Sequence, residues 1–430
     1  MKSPNPDPQS IAVIGGGIIG LTCALALLRD GCRVTLLDPD STTKPASWGN
    51  AGHIAVEQAE PIASPATVRS FARRLFWRGG ALALPPRDIR HWLPFALRLL
   101  RASTPAGFAK GRSALAPLLA SAMPAWQRLV ARIDRPDLLR IDGHYVVWES
   151  PATAAAGRVA WGHADTGTAR IRDVTPCERA RLNSLVTAPI ADAIRFEGSG
   201  QITDLADLAD AIRHHFVQQG GHLHTGRAAA LPISGGVLLD DGATLPADRI
   251  VVAAGVAARA LLEPLGHRVP IIAERGYHLQ SAATDWPADL PPVVFEDRAM
   301  IVTRFRTGLR AASFVEFGTP AGPPDPRKWD RLRSHIKALG LPFPGPDAPW
   351  MGSRPTLPDY LPAIGRCPRA PHILYAFGHN HLGLTLAATT AELVAALVND
   401  APAKAPLAPF GLDRFGLTRS GCEMRGSMHL

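Results

Sequence analysis

Residues 11–40 read IAVIGGGIIGLTCALALLRDGCRVTLLDPD, and this stretch decides the fold. A short apolar run at 11–14 leads into a glycine turn and a helix-like stretch at 18–29. Gly31 and a second apolar run at 34–37 follow, and Asp38-Pro39 closes the unit. This alternation predicts a strand–helix–strand unit, in which a helix connects two parallel strands.

The glycine turn matches G-x-G-x-x-G and comprises Gly15, Gly17, Ile18, Ile19 and Gly20. Gly15 permits the tight turn, Gly17 lets a pyrophosphate approach the backbone, and Gly20 lets helix and strand pack closely. The pyrophosphate would then lie on unpaired helix N–H groups, where the helix dipole favours negative charge. Asp38 stands at the end of the second strand, where a carboxylate can accept ribose hydroxyl hydrogen bonds and disfavours a 2′-phosphate. The unit therefore predicts a dinucleotide site, and the turn alone does not distinguish NAD from FAD.

Bulk composition limits the class of protein. The net charge of +9 suits nucleic acid, anionic small molecules or an acidic membrane surface. No basic run is interleaved with stacking aromatics, so we do not expect nucleic acid. Five scattered cysteines without C-x-x-C spacing predict free thiols in a reducing compartment. We expect no metal, no membrane-spanning stretch of about 18 apolar residues and, because the N-terminus lacks a secretion signal, a cytoplasmic location.

Four further motifs follow in order: SWGNAGHI at 47–54, VVAAG at 251–255, RPTLPDYLPAIG at 354–365 and GHNHLGLT at 378–385. With the glycine turn, they resemble the flavin-dependent D-amino-acid dehydrogenase branch of the D-amino-acid oxidase/glycine oxidase superfamily. The resemblance implies an α/β fold (α+β overall), with a Rossmann-like FAD-binding domain and a substrate domain of mixed, mostly antiparallel sheet plus a helical insertion. It also implies FAD and oxidation of a D-amino acid or a cyclic imino acid such as D-proline or hydroxy-D-proline.

The resemblance also implies which residues hold the cofactor. The adenine half would lie on the glycine turn and Asp38, and the helix that starts near residue 383 would face the pyrimidine oxygen of the flavin. A helix N-terminus suits that place because a reduced flavin is negatively charged there. Besides the turn and Asp38, the implied set comprises Ser47, Asn50, Ala51, Gly52, Ala229, Ala254, Gly255, Gly378, His381, Leu382, Gly383 and Thr385.

Three residues are candidates for the chemistry. Arg354 matches the position that binds the substrate carboxylate in glycine oxidase-like relatives, and its planar fork suits a carboxylate. Tyr277 either shapes the pocket or is a buried structural tyrosine. His53, like His381, either contacts the cofactor and tunes protonation or lies behind it. Since the flavin does the redox work and the amine enters as a free base, no dedicated general base is required.

The domain organisation is expected to be discontinuous. An FAD-binding domain of 1–62, 196–267 and 345–417 would surround a substrate domain of 63–195 and 268–344, with a flexible tail at 418–430. Periodicity predicts helices at 204–217 and 384–398, strands at 144–148, 250–254 and 373–377, and an antiparallel sheet within 269–318. Prolines at 85–86, 94, 105, 117 and 124 are expected to divide 63–135 into helices outside the nucleotide-binding core.

The segment 69–112 is strongly basic and carries Phe, Trp and Leu residues, with Asp88 as its single acid. One interpretation is a peripheral membrane contact, which suits electron transfer from the flavin to a quinone or another carrier. The other is an amphipathic helix pair that caps the substrate domain. Three alternatives for function also stay open: an oxygen-using sarcosine/glycine-type oxidase, a flavin-dependent tRNA-modification protein and a non-catalytic flavin-binding subunit.

Overall fold

The structure is a computed structural model that describes residues 8–39, 45–282, 284–403 and 405–416. The tail expected at 418–430 lies outside these residues, and so does Cys422. The other four cysteines are free thiols in the structure, and Cys23, Cys32 and Cys367 are buried.

Twenty-one strands occur in the described part of the chain. In chain order they are β1 Ser10–Ile14, β2 Arg33–Asp38, β3 His53–Ile54, β4 Leu82–Ala83, β5 Leu139–Arg140, β6 His144–Trp148, β7 Arg170–Asp173, β8 Asp192–Glu197, β9 Gly200–Ile202, β10 His222–Thr225, β11 Ala228–Ala230, β12 Val237–Leu239, β13 Thr244–Leu245, β14 Arg249–Val252, β15 Ile272–Ser281, β16 Val293–Phe295, β17 Met300–Phe305, β18 Gly308–Gly318, β19 Ala348–Thr356, β20 Ala363–Cys367 and β21 Ala370–Phe377.

Ten α-helices and several short 3-10 turns connect these strands within the same residues. The helices are α1 Ile18–Arg29, α2 Pro65–Arg74, α3 Ile89–Ala102, α4 Pro105–Arg132, α5 Pro151–His163, α6 Pro176–Ser184, α7 Leu205–Gln218, α8 Ala258–Leu262, α9 Pro326–Leu339 and α10 Gly383–Val398. The helix predicted at 18–29 and the strand predicted at 144–148 have these same bounds in the structure.

The first large sheet is the expected nucleotide-binding sheet. Its strand order is β10-β2-β1-β14-β21-β20, and every pair is parallel except β20 with β21. The helix α1 connects β1 to β2, as the strand–helix–strand pattern predicted, and β1 then pairs with β14 more than 230 residues later. Both faces of this sheet are covered, because β1 and α1 are apolar and almost wholly buried.

The second large sheet forms the substrate half. Its path is β19-β15-β18-β17-β16-β6-β8-β7, with β4 beside β18. Only the β16–β6 and β18–β4 pairs are parallel, which confirms the mixed, mostly antiparallel sheet. The strand β19 pairs with β15 along its whole length. The expectation that the FAD-binding part resumes at 345 therefore misplaces this strand, whose prolines at 349 and 355 hide its alternation.

The position of α4 corrects the expectation of a helical insertion outside the nucleotide-binding core. Its apolar residues, among them Leu115, Leu119 and Trp126, share one buried cluster with α1 and α10. The indole nitrogen of Trp126 donates hydrogen bonds to the carbonyls of Leu384 and Thr385 at 3.0 and 3.1 Å. Prolines at 94, 117 and 124 lie inside α3 and α4, so only those at 85–86 and 105 separate elements.

One helical stretch contradicts the expectation that no segment could span a membrane. Asn380–Val398 is long and apolar enough to do so by length and composition, but 72% of it is buried inside the protein. It packs against α1 and α4 in the shared apolar cluster. Its apolar character is therefore explained by its place in the core.

Candidate active site

A cavity of about 940 Å³ runs from the glycine turn to the nine-stranded sheet. Its volume is at the upper end of the range for ligand pockets, about 300–1,000 Å³. The candidate residues that line it are Gly15, Gly17, Ile18, Ile19, Asp38, Ser47, Asn50, Ala51, His53, Ala229, Ala254, Gly255, Tyr277, Arg354, His381 and Gly383. Gly20, Gly52, Gly378, Leu382 and Thr385 are not among the lining residues.

The glycine turn has the geometry that a bound pyrophosphate requires. Gly15 has a φ of +113°, and a Cβ on Gly20 would lie 1.8 Å from the carbonyl oxygen of Gly15. A Cβ on Gly17 would instead meet its nearest atom, Ser47 Oγ, at 3.5 Å, so space is open above this residue. Gly20 therefore serves packing, and Gly17 leaves room for a ligand.

Asp38 is hydrogen-bonded to the glycine turn. Its Oδ1 accepts a hydrogen bond from the Gly16 amide at 2.9 Å, and burial raises the pKa of this carboxyl. Because Asp38 also lines the cavity, its second carboxylate oxygen can accept a hydrogen bond from a ribose hydroxyl.

Two helices begin at the cavity without a side-chain cap. The first turns of α2, α4, α5, α6, α7 and α9 are each capped by a Ser, Thr or Asp side chain. In the described chain, α1, α3, α8 and α10 have no cap from their N-cap side chain and no acid in their first turn. Of these four, α1 and α10 are the two whose first residue lines the cavity. Uncapped helix N-termini carry unpaired N–H groups and a partial positive charge. Both ends therefore suit an anionic ligand.

The segment 47–55 is fixed by hydrogen bonds to both of these helices. Ser47 Oγ accepts from the Ile18 amide at 3.2 Å, and Asn50 Oδ1 accepts from the Gly52 amide at 2.8 Å. The amide of Ala55 donates to Thr385 Oγ1 at 2.9 Å. Gly52 and Thr385 therefore hold this wall in place and are not part of its surface.

Arg354 projects from β19 into the cavity and is held by an acidic residue that the sequence analysis did not single out. Its Nη1 donates to Glu274 Oε1 at 3.3 Å and to the carbonyl of Phe314 at 3.2 Å. Behind it, Thr356 Oγ1 and the Tyr360 hydroxyl donate to Glu274 Oε2 at 3.2 and 3.0 Å. Burial and Glu274 raise the pKa of Tyr360 far above its usual range. The motif 354–365 supplies three of these four residues, which is the signal that could have revealed the group.

Gly276 lies directly beneath the Arg354 guanidinium. A Cβ at this position would lie 2.2 Å from Arg354 Nη2. The arginine therefore lies flat across the neighbouring strand β15, an arrangement that a side chain at 276 would prevent.

Tyr277 lines the cavity with its ring, while its hydroxyl faces a buried ionic group on the other side. The hydroxyl donates to Glu316 Oε1 at 3.0 Å and accepts from the Asp325 amide at 3.1 Å. Glu316 is also paired with the fully buried Arg275 and with Lys328. The hydroxyl is thus used structurally, in agreement with the alternative of a structural tyrosine.

His53 belongs to a buried cluster with Glu57 and His144. Its Nε2 lies 2.9 Å from Glu57 Oε1, and its Nδ1 lies 3.2 Å from the carbonyl oxygen of Gly200. One donor atom from each of the three residues lies within 4.8 Å of the others, a spacing that could hold a metal ion. The sequence offered no metal-ligand spacing because β6 brings His144 to this place from almost 90 residues away.

The charges of this cluster are set by burial and by the neighbours. Burial lowers the pKa of His144 to about 3, so its ring is neutral. Burial raises the pKa of Glu57, but the neighbouring His53, and His144 at the low pH where its ring is protonated, bring this pKa down to about 2. Burial also lowers the pKa of His381 to about 3; Arg354 adds to this effect and Glu57 opposes it.

Comparison with known proteins settles the family. The model of the family described as DAO, FAD dependent oxidoreductase, matches residues 10–397. The chain belongs to this family. A D-amino-acid oxidase of Bradyrhizobium diazoefficiens is 30% identical, over 95% of this chain and all of that protein. A D-amino acid dehydrogenase of Cereibacter sphaeroides is 27% identical, over 94% of this chain and 95% of that protein.

Solved structures of the family share the fold. Glycine oxidase from Geobacillus kaustophilus superposes with a TM-score of 0.70 at 20% identity, over 95% of this chain and 99% of that one. Iminodiacetate oxidase from Chelativorans sp. BNC1 superposes with a TM-score of 0.69 at 20% identity, over 93% of this chain and 98% of that one. The resemblance inferred from the motifs is therefore confirmed, and the protein is an FAD-dependent oxidoreductase.

The residues present fit FAD. The turn at 15–20 and the N-terminus of α1 would hold the pyrophosphate, and Asp38 the adenosine ribose. The N-terminus of α10 would lie at the flavin ring. When bound, FAD supplies a two-electron acceptor for a hydride from a C–H bond. The protein contributes position and electrostatics: Arg354 can orient an anionic group, and the buried walls can exclude water.

Proposed function

We propose that the chain oxidises the Cα–N bond of a D-amino acid, or of a cyclic imino acid of the D-proline or hydroxy-D-proline type. The hydride leaves Cα, the nitrogen lone pair forms the C=N bond, and water later hydrolyses a primary imine to the keto acid. FAD would accept this hydride, which carries both electrons, and the nitrogen is left as an iminium. The amino-acid dehydrogenase and oxidase names of the similar proteins support this reaction class.

The observation that carries the proposal is the position of Arg354. This cation faces the same cavity as the glycine turn and the N-terminus of α10. Its Nη1 is fixed by Glu274 and the Phe314 carbonyl, so the guanidinium is held in one orientation. A fixed planar guanidinium is suited to pair with a carboxylate through two parallel hydrogen bonds.

Anaerobic mixing of the yellow holoenzyme with single amino acids tests this proposal. The panel comprises D- and L-alanine, D- and L-proline, cis-4-hydroxy-D-proline, glycine and sarcosine, and the measurement is loss of flavin absorbance. We expect the D-amino acids or cyclic D-imino acids to bleach the flavin fastest. Bleaching only by glycine and sarcosine would favour the glycine-type alternative, and no bleaching by any of the compounds would overturn the proposal.

We further propose that the electrons leave for a membrane quinone or a similar carrier, from a location at the inner face of the cell membrane. Seven of the exposed large apolar side chains occur at α2, α3 and the turn between them: Val68, Phe71, Trp77, Ile89, Leu93, Leu97 and Leu100. The exposed apolar residues of α3 are three or four positions apart, so they lie along one face of the helix. Exposed arginines accompany them, among them Arg73, Arg78 and Arg101. Apolar residues beside basic ones are complementary to an anionic phospholipid surface.

The position of α2 connects this surface with the cavity. Arg74, its last residue, lines the cavity, whereas Phe71 on the same helix is exposed. A carrier dissolved in the membrane would therefore reach the protein next to the cavity.

Flotation with liposomes tests the membrane contact. We expect binding to vesicles of phosphatidylcholine with phosphatidylglycerol, weaker binding to phosphatidylcholine alone, and loss of binding in the triple variant Arg73→Glu/Arg78→Glu/Arg101→Glu. Two results together would overturn the proposal of a membrane carrier and favour an oxidase. The first is equal activity with oxygen alone and with an added quinone analogue, and the second is unchanged flotation of the triple variant.

A further inference from the structure

We propose that Glu57, held by His53, binds the amino group of the substrate. The cavity would then recognise an α-amino acid at two points of opposite charge, with Arg354 at the carboxylate and Glu57 at the amine. This inference rests on the proposed function and assigns the second half of its recognition.

Glu57 has a buried carboxylate oxygen without a hydrogen-bond partner in the described part of the chain. Glu57 is only 3% exposed, and its Oε1 lies 2.9 Å from His53 Nε2. Its Oε2 is buried and has no hydrogen-bond partner among the residues that the structure describes. Buried polar atoms nearly always have a partner, because leaving one unpaired is unfavourable by about 1–3 kcal/mol and by more for a charged group. Since Glu57 lines the cavity, a ligand with N–H groups can supply the missing partner.

His53 holds the other carboxylate oxygen of Glu57 in place. Its two ring nitrogens lie 3.2 Å from the Gly200 carbonyl oxygen and 2.9 Å from Glu57 Oε1. Because Oε1 is engaged by His53, the unpaired Oε2 is the oxygen left for a ligand.

The remaining neighbours leave the carboxylate free to accept from a ligand. The His144 ring stands edge-on to His53, with ring centres 4.5 Å apart, and its Nδ1 is hydrogen-bonded to Ser199 Oγ at 2.8 Å. His144 is neutral for the reason given above. No Lys or Arg side chain pairs with Glu57 within 4 Å in the described chain, so the N–H groups of a substrate amine meet no competing ion pair.

Glu57 and Arg354 line the same cavity. His381, two residues before α10, lines it as well. Glu57 and Arg354 therefore face the space in which the flavin and its substrate are expected. An α-amino acid carries its carboxylate and its amine on one carbon, so it can satisfy both residues at once. A carboxylic acid without an amine can satisfy only Arg354.

The test compares D-proline with cyclopentanecarboxylate, a ligand of similar shape that lacks the amine. Glu57→Gln keeps the shape of the side chain and removes its charge. We expect this variant to raise the D-proline concentration for half-maximal flavin reduction by about 10- to 100-fold, as for a lost charge-assisted hydrogen bond. The dissociation constant of cyclopentanecarboxylate, measured from the flavin spectrum, should change less than about twofold. D-Alanine with propionate provides a second pair, for a primary amine.

Two control variants make the comparison specific. Glu60→Gln carries the same substitution on the same segment, outside the cavity lining, and should behave as wild type with both ligands. Arg354→Lys should weaken both ligands. Glu57→Asp keeps the charge and should show intermediate affinity for D-proline. If Glu57→Gln does not retain FAD, Glu57→Asp replaces it in the comparison of the two ligands.

Three results would overturn the inference: wild-type affinity for D-proline in Glu57→Gln and Glu57→Asp, an equal loss for both ligands, or a stoichiometric divalent metal in the purified wild-type protein. The last would identify His53, Glu57 and His144 as a metal centre. Failure of the proposed function is distinguishable, since no amino acid of the panel would then bleach the wild-type flavin.

Discussion

Replacing Gly276 by alanine should damage carboxylate binding without touching any ligand directly. The added Cβ would lie 2.2 Å from Arg354 Nη2 and 2.5 Å from Cζ, well inside the 3.4 Å at which ordinary contacts begin. Gly276 does not have a positive φ, so the backbone tolerates alanine. The guanidinium must therefore withdraw by roughly 1 Å, and displacements of that size weaken catalysis by about 100-fold.

The expected loss follows from the contacts that the displacement breaks. Arg354 would leave Glu274 Oε1 and the Phe314 carbonyl, and its fork would no longer be positioned for a carboxylate. A charged hydrogen bond contributes about 1.5–3 kcal/mol, so the dissociation constant of cyclopentanecarboxylate should rise by about 10- to 100-fold. Titration of the flavin spectrum measures this constant, and FAD content should remain at the wild-type level.

A double-mutant cycle separates this explanation from a general disturbance of the sheet. If Gly276→Ala acts through Arg354, it should add little to Arg354→Lys, because the two sites are in contact. Gly162→Ala, a position with no atom within 4 Å of the new Cβ, is the matched control. Wild-type affinity in Gly276→Ala, or fully additive losses in the double variant, would refute the reasoning.

Three further predictions concern the cofactor, pH and the core. Gly17→Ala should fold and lose FAD, whereas Gly20→Ala, whose Cβ would lie 1.8 Å from a backbone oxygen, should also lose thermal stability; FAD content and melting temperature distinguish the two. Burial lowers the pKa of His379 in the folded protein to about 3, below its ordinary value of 6.5. As the pH falls, the unfolded chain therefore binds a proton at His379 before the folded chain does. The free energy of unfolding should fall as the pH drops from about 6.5 towards 3. His379→Gln should reduce this loss by up to about 1.4 kcal/mol per pH unit in urea unfolding, and an unchanged slope would contradict it. Leu119→Ala in α4 should lower the free energy of unfolding by about 2–5 kcal/mol and exposed Leu97→Ala by less than about 0.5 kcal/mol; equal effects would remove α4 from the core.

The local pattern was sufficient for the nucleotide-binding unit. In residues 10–38, the apolar runs, the glycine spacing and the terminal acid all agree, so β1, α1 and β2 were predicted almost to the residue. The turn can be predicted locally because its contacts lie within one unit: Gly20 packs against Gly15, and Asp38 accepts a hydrogen bond from Gly16. The same holds for α10, which was predicted at 384–398, while the family resemblance placed its start near residue 383.

What the sequence did not show depends on partners that are distant in the chain. Glu274 meets Arg354 only because β15 and β19 pair in one particular register, and Glu57 meets His144 only through β6. No strand was predicted at the place of β19, and its residues were assigned to the FAD-binding part, since an edge strand with two prolines lacks a clear alternation. The burial of α4 was missed for a related reason: its prolines predicted breaks, and nothing local indicated that α1 and α10 would cover it.

The proposed function requires that FAD binds between the N-termini of α1 and α10. The most direct test is the absorbance spectrum of the purified protein, with the released flavin quantified after denaturation. We predict a yellow protein with one FAD per chain, lost in Gly17→Ala and retained in Gly162→Ala. A colourless protein that takes up no added FAD would contradict the central claim.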